Sequence, residues 1–250
     1  MRTIDIGIDK IDKIYHIADV HVRNVKRHKE YQLVFKRLYS YIKKTRTKNS
    51  LIYVAGDIVH AKTDMSPELV SVVSEFFKEL SDLAPTIIIT GNHDCNLNNS
   101  YRLDALSPIV KALNHQNLHY LKDNGIYSIS GVHFNVMSVF DKPVDYVKAE
   151  DFEGDYKIAL HHGSVHNAST DAGFTLSNTH VTTNMFKGHD LVLLGDIHKP
   201  QYLDDEKTIA YAGSLIQQNH GEALGHGIMV WDLESKQCEF VDIPNDYGYY

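Results

Sequence analysis

Carboxylate, amide and imidazole side chains stand at the ends of apolar runs along this sequence. "IYHIADVHV" delivers Asp19 and His21, "LIYVAGDIVH" Asp57 and His60, and "TIIITGNHD" Asn92, His93 and Asp94; "YKIALHHGS" delivers His161 and His162, and "LVLLGDIHK" Asp196 and His198. Short apolar runs bounded by Gly, Asn and Asp read as buried strands, so each group is presented at a sheet edge. Divalent cations take oxygen and imidazole donors, and a two-ion site needs about seven protein ligands, one of them a carboxylate shared between ions about 3.5–4 Å apart. Asp19, His21, Asp57, Asn92, His161, Asp196 and His198 form such a set. Lacking sulfur, it suits manganese or iron better than a structural zinc. Each residue alone has an ordinary reading as a hydrogen-bonded buried side chain. Their recurrence strand after strand favours one shared site.

Positioning such a set requires alternating strands and helices. Residues 29–48 carry Tyr31, Val34, Phe35, Leu38 and Ile42 at helical spacing, with cations on the other face. After a strand at 51–55, Ser66, Pro67 and Glu68 provide helix-start chemistry for a helix reaching about Asp82. A strand follows at 86–90, and 101–113 reads as a further helix in spite of Pro108. From Gly125 onward the texture becomes short β-rich runs. Parallel βαβ units followed by a mainly β half predict an α/β fold of two sheets packed face to face with helices outside. Ligands then collect where the carboxyl ends of strands meet.

A chain of 250 residues can bury the core of one large domain. Its formal net charge of -7 argues against general attraction to nucleic acid, yet cations concentrate between Arg23 and Lys48, where Glu30 is the only acid. Two cysteines give neither a disulfide framework nor a thiolate cluster, which fits a reducing intracellular compartment. The chain starts without a signal-peptide pattern, and no apolar run approaches about 20 residues, so no membrane association is expected.

The motifs "ADVH", "GDIVH", "GNHD", "LHHG" and "GDIH", in this order, resemble those of the calcineurin-like metallophosphoesterase superfamily, D-x-H, G-D, G-N-H-D/E, H and G-H-x-H. Within it, His60 three residues after Asp57 and the runs "YAGSLIQQNHGE" and "HGIMVWDL" are most similar to the nuclease subunit of double-strand-break repair complexes, the SbcD or meiotic-recombination-eleven type, which has phage counterparts. The resemblance extends to the closing "NDYGYY" and departs at Asp196, where most of the family has His. It implies a four-layer αββα sandwich of two mixed sheets flanked by helices. It implies two divalent ions, manganese foremost with magnesium or iron as substitutes. Asp19, His21 and His198 would hold one ion, Asp57 would bridge, and Asn92, His161 and Asp196 would hold the second. His161 rather than His162 takes that place because the family puts its ligand first in the block, leaving His162 an outer role. A carboxylate at Asp196 favours manganese or magnesium over softer ions.

The resemblance further implies that His93 donates a proton to the leaving group, with Asp94 holding its tautomer, and that His60 influences how duplex ends are placed. Arg23 and Lys26, directly after the first metal motif, would contact DNA; Lys36 to Lys48 read as an exterior helix face. The activity implied is 3′-to-5′ exonuclease action on duplex DNA and endonuclease action on single strands, within a repair or recombination complex. The implied partners are DNA, an SbcC-type coiled-coil SMC-like ATPase and a second copy of the chain, in the cytoplasm or nucleoid, or in the host cytoplasm for a phage or viral protein. Residues 1–250 would then be the nuclease domain, with the small capping domain and the ATPase-binding segment absent. A general phosphodiesterase or phosphatase is the alternative, although protein phosphatases of the group carry "GDxVDRG" and "GNHE". A silent metal-binding scaffold for an ATPase is a third, disfavoured because every donor and His93 are present.

Overall fold

The computed structural model describes residues 1–248; Tyr249 and Tyr250, the end of "NDYGYY", lie outside the described residues. In chain order the elements are β1 (Arg2–Thr3), β2 (Lys13–Ile17), α1 (His28–Thr45), β3 (Ser50–Val54), α2 (Pro67–Leu83), β4 (Thr86–Ile88), α3 (Leu106–Leu113) and β5 (Leu118–Tyr120). The β-rich half adds β6 (Gly125–Ile129), β7 (Val132–Met137), β8 (Lys157–His162), β9 (Leu191–Gly195), β10 (Gln201–Tyr202), β11 (Ile209–Tyr211), β12 (Gly227–Asp232) and β13 (Gln237–Asp242). One sheet has the order β13-β12-β2-β3-β4-β5, the other β1-β6-β7-β8-β9-β11-β10. Both are mixed: β2 to β5 run parallel with β12 antiparallel to β2, and β7, β8, β9 and β11 run parallel with β6 and β10 antiparallel.

Successive strand residues point to opposite faces, so a strand buried on both sides reads as an unbroken apolar run. In β3, Leu51 and Tyr53 join the layer between the sheets, while Ile52 and Val54 meet the helices. That inter-sheet layer also holds Ile14, Phe134, Ile158, Leu160, Leu193 and Trp231. The three α-helices stand on the first sheet, packing Leu38, Phe76, Phe77 and Leu80 against Tyr15, Ile52 and Ile88. The second sheet's outer face is covered by loops containing short 3-10 helices at Pro143–Asp145, Ala149–Asp151 and Thr183–Phe186, over a smaller cluster of Met137, Ala159, Leu194 and Phe186. Two mixed sheets flanked by helices are therefore present, as expected.

Ser66 caps α2 by accepting from the Leu69 amide at 3.2 Å, with Pro67 in the first turn. The helix expected over 101–113 begins only at Leu106. Asp104 Oδ1 takes the amides of Leu106 and Ser107 at 2.9 and 2.7 Å and fixes the start, and Pro108 falls in the first turn, where no intrahelical amide is needed. Among the described residues no helix is long and apolar enough to cross a membrane.

Candidate metal centre

The side chains with chemistry come from the loops that follow β2, β3, β4 and β9 and from the end of β8, at the carboxyl ends of parallel strands in both sheets. These loops are forced into unusual backbone. Asp19, His21, Asp57 and Asp196 all have positive φ, at 49°, 48°, 51° and 100°. Non-glycine residues in that region cost about 1–3 kcal/mol each and persist where the surroundings over-determine them. Here the loops brace one another: the amides of Asp19, His21 and Val22 donate to the carbonyls of Gly56, Asp57 and Ile58 at 3.2, 2.9 and 2.8 Å, and the Asp196 amide donates to the Asp19 carboxylate at 3.1 Å. The glycine of "GNHD" is a consequence of this crowding. A Cβ on Gly91 would lie 2.1 Å from Asp57 Oδ1.

The loops converge on Asp57. Its Oδ2 lies 3.6 Å from His21 Nε2 and its Oδ1 3.4 Å from His162 Nε2. On the first side His21 Nε2 is 3.1 Å from His198 Nε2 and 3.9 Å from Asp19 Oδ1. On the other, His162 Nε2 is 3.0 Å from Asn92 Oδ1 and 4.0 Å from Asp196 Oδ1. Asp19, His21 and His198 form one group able to hold a metal ion, and Asp19, Asp57 and His162 another; His21, His60 and His93 are a third cluster of nitrogens.

The donor chemistry fits cations. His162 Nδ1 lies 2.6 Å from the Ala55 carbonyl and His198 Nδ1 2.7 Å from Glu222 Oε1, so each ring donates outward and turns Nε2 to the cluster. Lone pairs of imidazole and amide then face one another at hydrogen-bond distance, with carboxylate oxygens 3.4 to 4.0 Å away, an arrangement that a cation stabilises. The protonation equilibria point the same way. Burial, with repulsion from Asp57 and Asp196, pushes the Asp19 carboxyl up to about 7. At Asp57 burial acts upward as well, but the charges of His162, His21 and His93 hold it below the usual carboxylate range. Burial pulls His162 down, but the charge and hydrogen bond of Asp57 together with the charges of Asp19 and Asp196 lift it well above its usual value. A bound cation takes over the role of that proton.

Of the expected ligands, Asp19, His21, Asp57, Asn92, Asp196 and His198 are brought together here, and His161 is not. Ile158 and Leu160 of β8 face the inter-sheet layer, so the two-residue alternation carries His162 onto the site side and turns His161 outward with Ala159. The His161 ring packs against Tyr146 and Phe186, at centroid distances of 5.6 and 6.2 Å, and its Nδ1 donates to the Met137 carbonyl at 3.2 Å. The place expected for His161 is therefore taken by His162.

A second correction concerns Asp94, which does not hold His93. Its carboxylate is fully buried and accepts the amides of Ile58, Val59 and Gly91 at 2.9 to 3.0 Å, tying the "GNHD" loop to the "GDIVH" loop. His93 instead donates from Nδ1 to the His60 carbonyl at 2.6 Å, which aims Nε2 toward Asp57, 4.0 Å away. The His60 ring lies nearly parallel to that of His93, with centroids 5.8 Å apart, and Arg23 Nη1 donates to His60 Nε2 at 3.2 Å. Arg23 is thus turned inward, with Nη2 3.4 Å from the Gln218 carbonyl, while Lys26 is exposed. Burial and the neighbouring Arg23 charge keep His60 below the usual imidazole range.

Two further side chains bear on the cluster without any signal in local spacing. Ser164 Oγ donates to Asp196 Oδ2 at 2.7 Å, and Glu222 meets His198 from a loop 24 residues further on. Shallow cavities flank the centre. One, of about 210 Å³, is lined by Thr170, Asp196, His198, Lys199, Asn219 and Glu222; the other, of about 370 Å³, by His60, Lys62, Thr63, Asn92 and His93. A roomier cavity, about 790 Å³, lies apart from this chemistry, against Met137, Tyr146 and Met185 on the outer face of the second sheet.

Comparison with known proteins agrees with this geometry. An uncharacterized protein of Acanthamoeba polyphaga mimivirus is 48% identical over 260 aligned residues, an alignment that covers all of this chain and 19% of that protein. The chain thus spans about a fifth of that relative's length. The family model described as calcineurin-like phosphoesterase matches residues 12–200, a stretch that begins before the first metal motif and ends just after the last. The chain belongs to the calcineurin-like phosphoesterase family.

Proposed function

We propose that the chain is a manganese-dependent DNA nuclease of the SbcD type, cleaving phosphodiester bonds at the Asp57 cluster. The observation that carries this reading is the pair of cavities on either side of the cluster, one at Asp196 and His198 and one at His60 and His93. A diester has two ester arms, and a site open on both sides accommodates a chain passing through it, whereas a monoester needs only one opening. Asp19, His21 and His198 would hold one ion, Asn92, His162 and Asp196 the other, with Asp57 between them. Ions so held would supply Lewis acidity and a water activated at neutral pH.

The chain's own residues do the rest. His93 stands at the edge of the cluster with its side chain 40% exposed, and its Nδ1 bond to the His60 carbonyl leaves Nε2 to deliver a proton to the departing alkoxide. His60, held by Arg23, forms the wall beside it and meets the strand on the leaving-group side. Asp94 keeps the two loops in register. Lys26 is exposed and available to the phosphate backbone. In this proposal the chain acts as a homodimer with an SbcC-type coiled-coil ATPase, in the cytoplasm or a viral host's cytoplasm.

The test is cleavage of end-labelled duplex DNA, circular single-stranded DNA and bis-p-nitrophenyl phosphate with manganese, by wild type and His93→Ala. Manganese-dependent DNA cleavage that the variant loses while retaining its metal supports a nuclease with His93 as acid. Turnover of the small diester with no DNA cleavage, in the presence of the ATPase as well, overturns the nuclease reading in favour of a general phosphodiesterase.

A further inference from the structure

Glu222 belongs to none of the strand-end motifs, yet its carboxylate is closely engaged beside the cluster. Its side chain is 4% exposed. Oε1 lies 2.7 Å from His198 Nδ1 and accepts from Asn219 Nδ2 at 2.6 Å, and Oε2 accepts from the Gln218 amide at 2.6 Å. His226 Nε2 stands 3.8 Å from Oε2, and Gln217 Nε2 donates to the Glu222 carbonyl at 3.0 Å, closing residues 217–222 into a loop around the carboxylate. A buried carboxylate requires charge-assisted bonds to persist, and this one directs such a bond to an imidazole whose other nitrogen faces Asp19 and His21.

A carboxylate on Nδ1 settles which nitrogen of an imidazole carries the proton, fixes the ring plane and makes Nε2 a stronger donor to a cation. His162, the corresponding ring across Asp57, has only the Ala55 carbonyl on its Nδ1. We propose that Glu222 is a positioning residue that sets the affinity of one half of the centre, the ion shared by Asp19, His21 and His198, and leaves the half formed by Asn92, His162 and Asp196 unchanged. This rests on the reading of the cluster as a two-ion site.

The experiment is manganese titration of the full chain, with free Mn2+ followed by electron paramagnetic resonance, for wild type, Glu222→Asp, Glu222→Gln and Glu222→Ala. Wild type is expected to take up two ions. Glu222→Ala keeps one at unchanged affinity and binds the other about 10–100-fold more weakly, with Glu222→Gln intermediate and Glu222→Asp closest to wild type. Long-range 1H–15N spectra of the metal-free protein at pH 8 give a second readout, in which His198 carries its proton on Nδ1 in wild type and shifts toward Nε2 in Glu222→Ala. Circular dichroism confirms folding, and the near-isosteric Glu222→Gln carries the comparison if the alanine variant does not fold. Two ions bound by every variant as tightly as by wild type overturn the proposal, as does equal weakening of both. A wild-type chain that takes up no manganese while the tautomer shift persists overturns the two-ion reading and retains the coupling of Glu222 to His198.

Discussion

The two halves of the candidate metal centre are built by different means. His162 comes from the last residue of β8 and is oriented by the carbonyl of Ala55 at the end of β3, so both ring and partner are anchored in sheets. His198 and its partner Glu222 both stand on loops. The carboxylates reverse the contrast: Asp19, beside His198, is fully buried, whereas the Asp196 side chain, beside His162, is 21% exposed and held by the Ser164 hydroxyl. A backbone carbonyl at a strand end cannot be altered by substitution, while a carboxylate or hydroxyl on a loop can. One imidazole is therefore fixed by the fold, and the other is adjustable by single residues.

The largest expected effect falls on the residue that both halves share. Asp57→Ala should abolish retention of both ions, measured by inductively coupled plasma mass spectrometry, and lower diester hydrolysis by at least about 10³-fold. Retention of one ion at wild-type affinity would show that the halves are independent and that Asp57 does not join them.

Next comes the pair of neighbouring histidines. His162→Ala should lose one ion and about 100-fold or more in activity, while His161→Ala should keep both ions and lose about 1–3 kcal/mol of stability in urea denaturation, the cost of a cavity beside Tyr146 and Phe186. The reverse pattern would return the ligand role to His161.

His161 should also show in the acid response. Burial holds its pKa near 4, below the usual 6.5, so the unfolded chain binds the proton first. The folded state keeps its full stability above about pH 6.5 and loses it as pH falls toward 4, by up to about 3 kcal/mol from this group. Urea melts of metal-free His161→Phe and wild type at pH 7.5 and 5 should show a smaller acid loss in the variant, and equal losses would contradict it.

The smallest effect is expected at Ser164. Removing its hydroxyl frees Asp196 to move, and Ser164→Ala should weaken binding in the Asp196 half by about tenfold at most, with the Glu222 half untouched in the same manganese titration. A change in the His198 half instead would blur the distinction between the two.

The sheet-edge placement of Asp19, His21, Asp57, Asn92, Asp196 and His198 was legible because apolar runs end abruptly on polar residues, and a parallel strand delivers its next loop to a common edge. Ser66 and Pro67 marked the start of α2 because capping chemistry is local. α3 begins later than its helical spacing, which continues upstream through Tyr101, because the Asp104 cap sets the boundary. The roles of Asp94 and Glu222 had no local sign. One serves amides of two loops and the other a ring 24 residues away.

By itself the sequence determined that strands would end on oxygen and imidazole donors without sulfur, and that βαβ units would be followed by a β-rich half, because hydrophobic periodicity and donor type are properties of short segments. Only the tertiary structure turned His162 rather than His161 toward Asp57, moved Asp94 from His93 to the loop amides and joined Glu222 to His198. Which face of a strand meets the second sheet, and which distant loop supplies a partner, are settled when the layers pack.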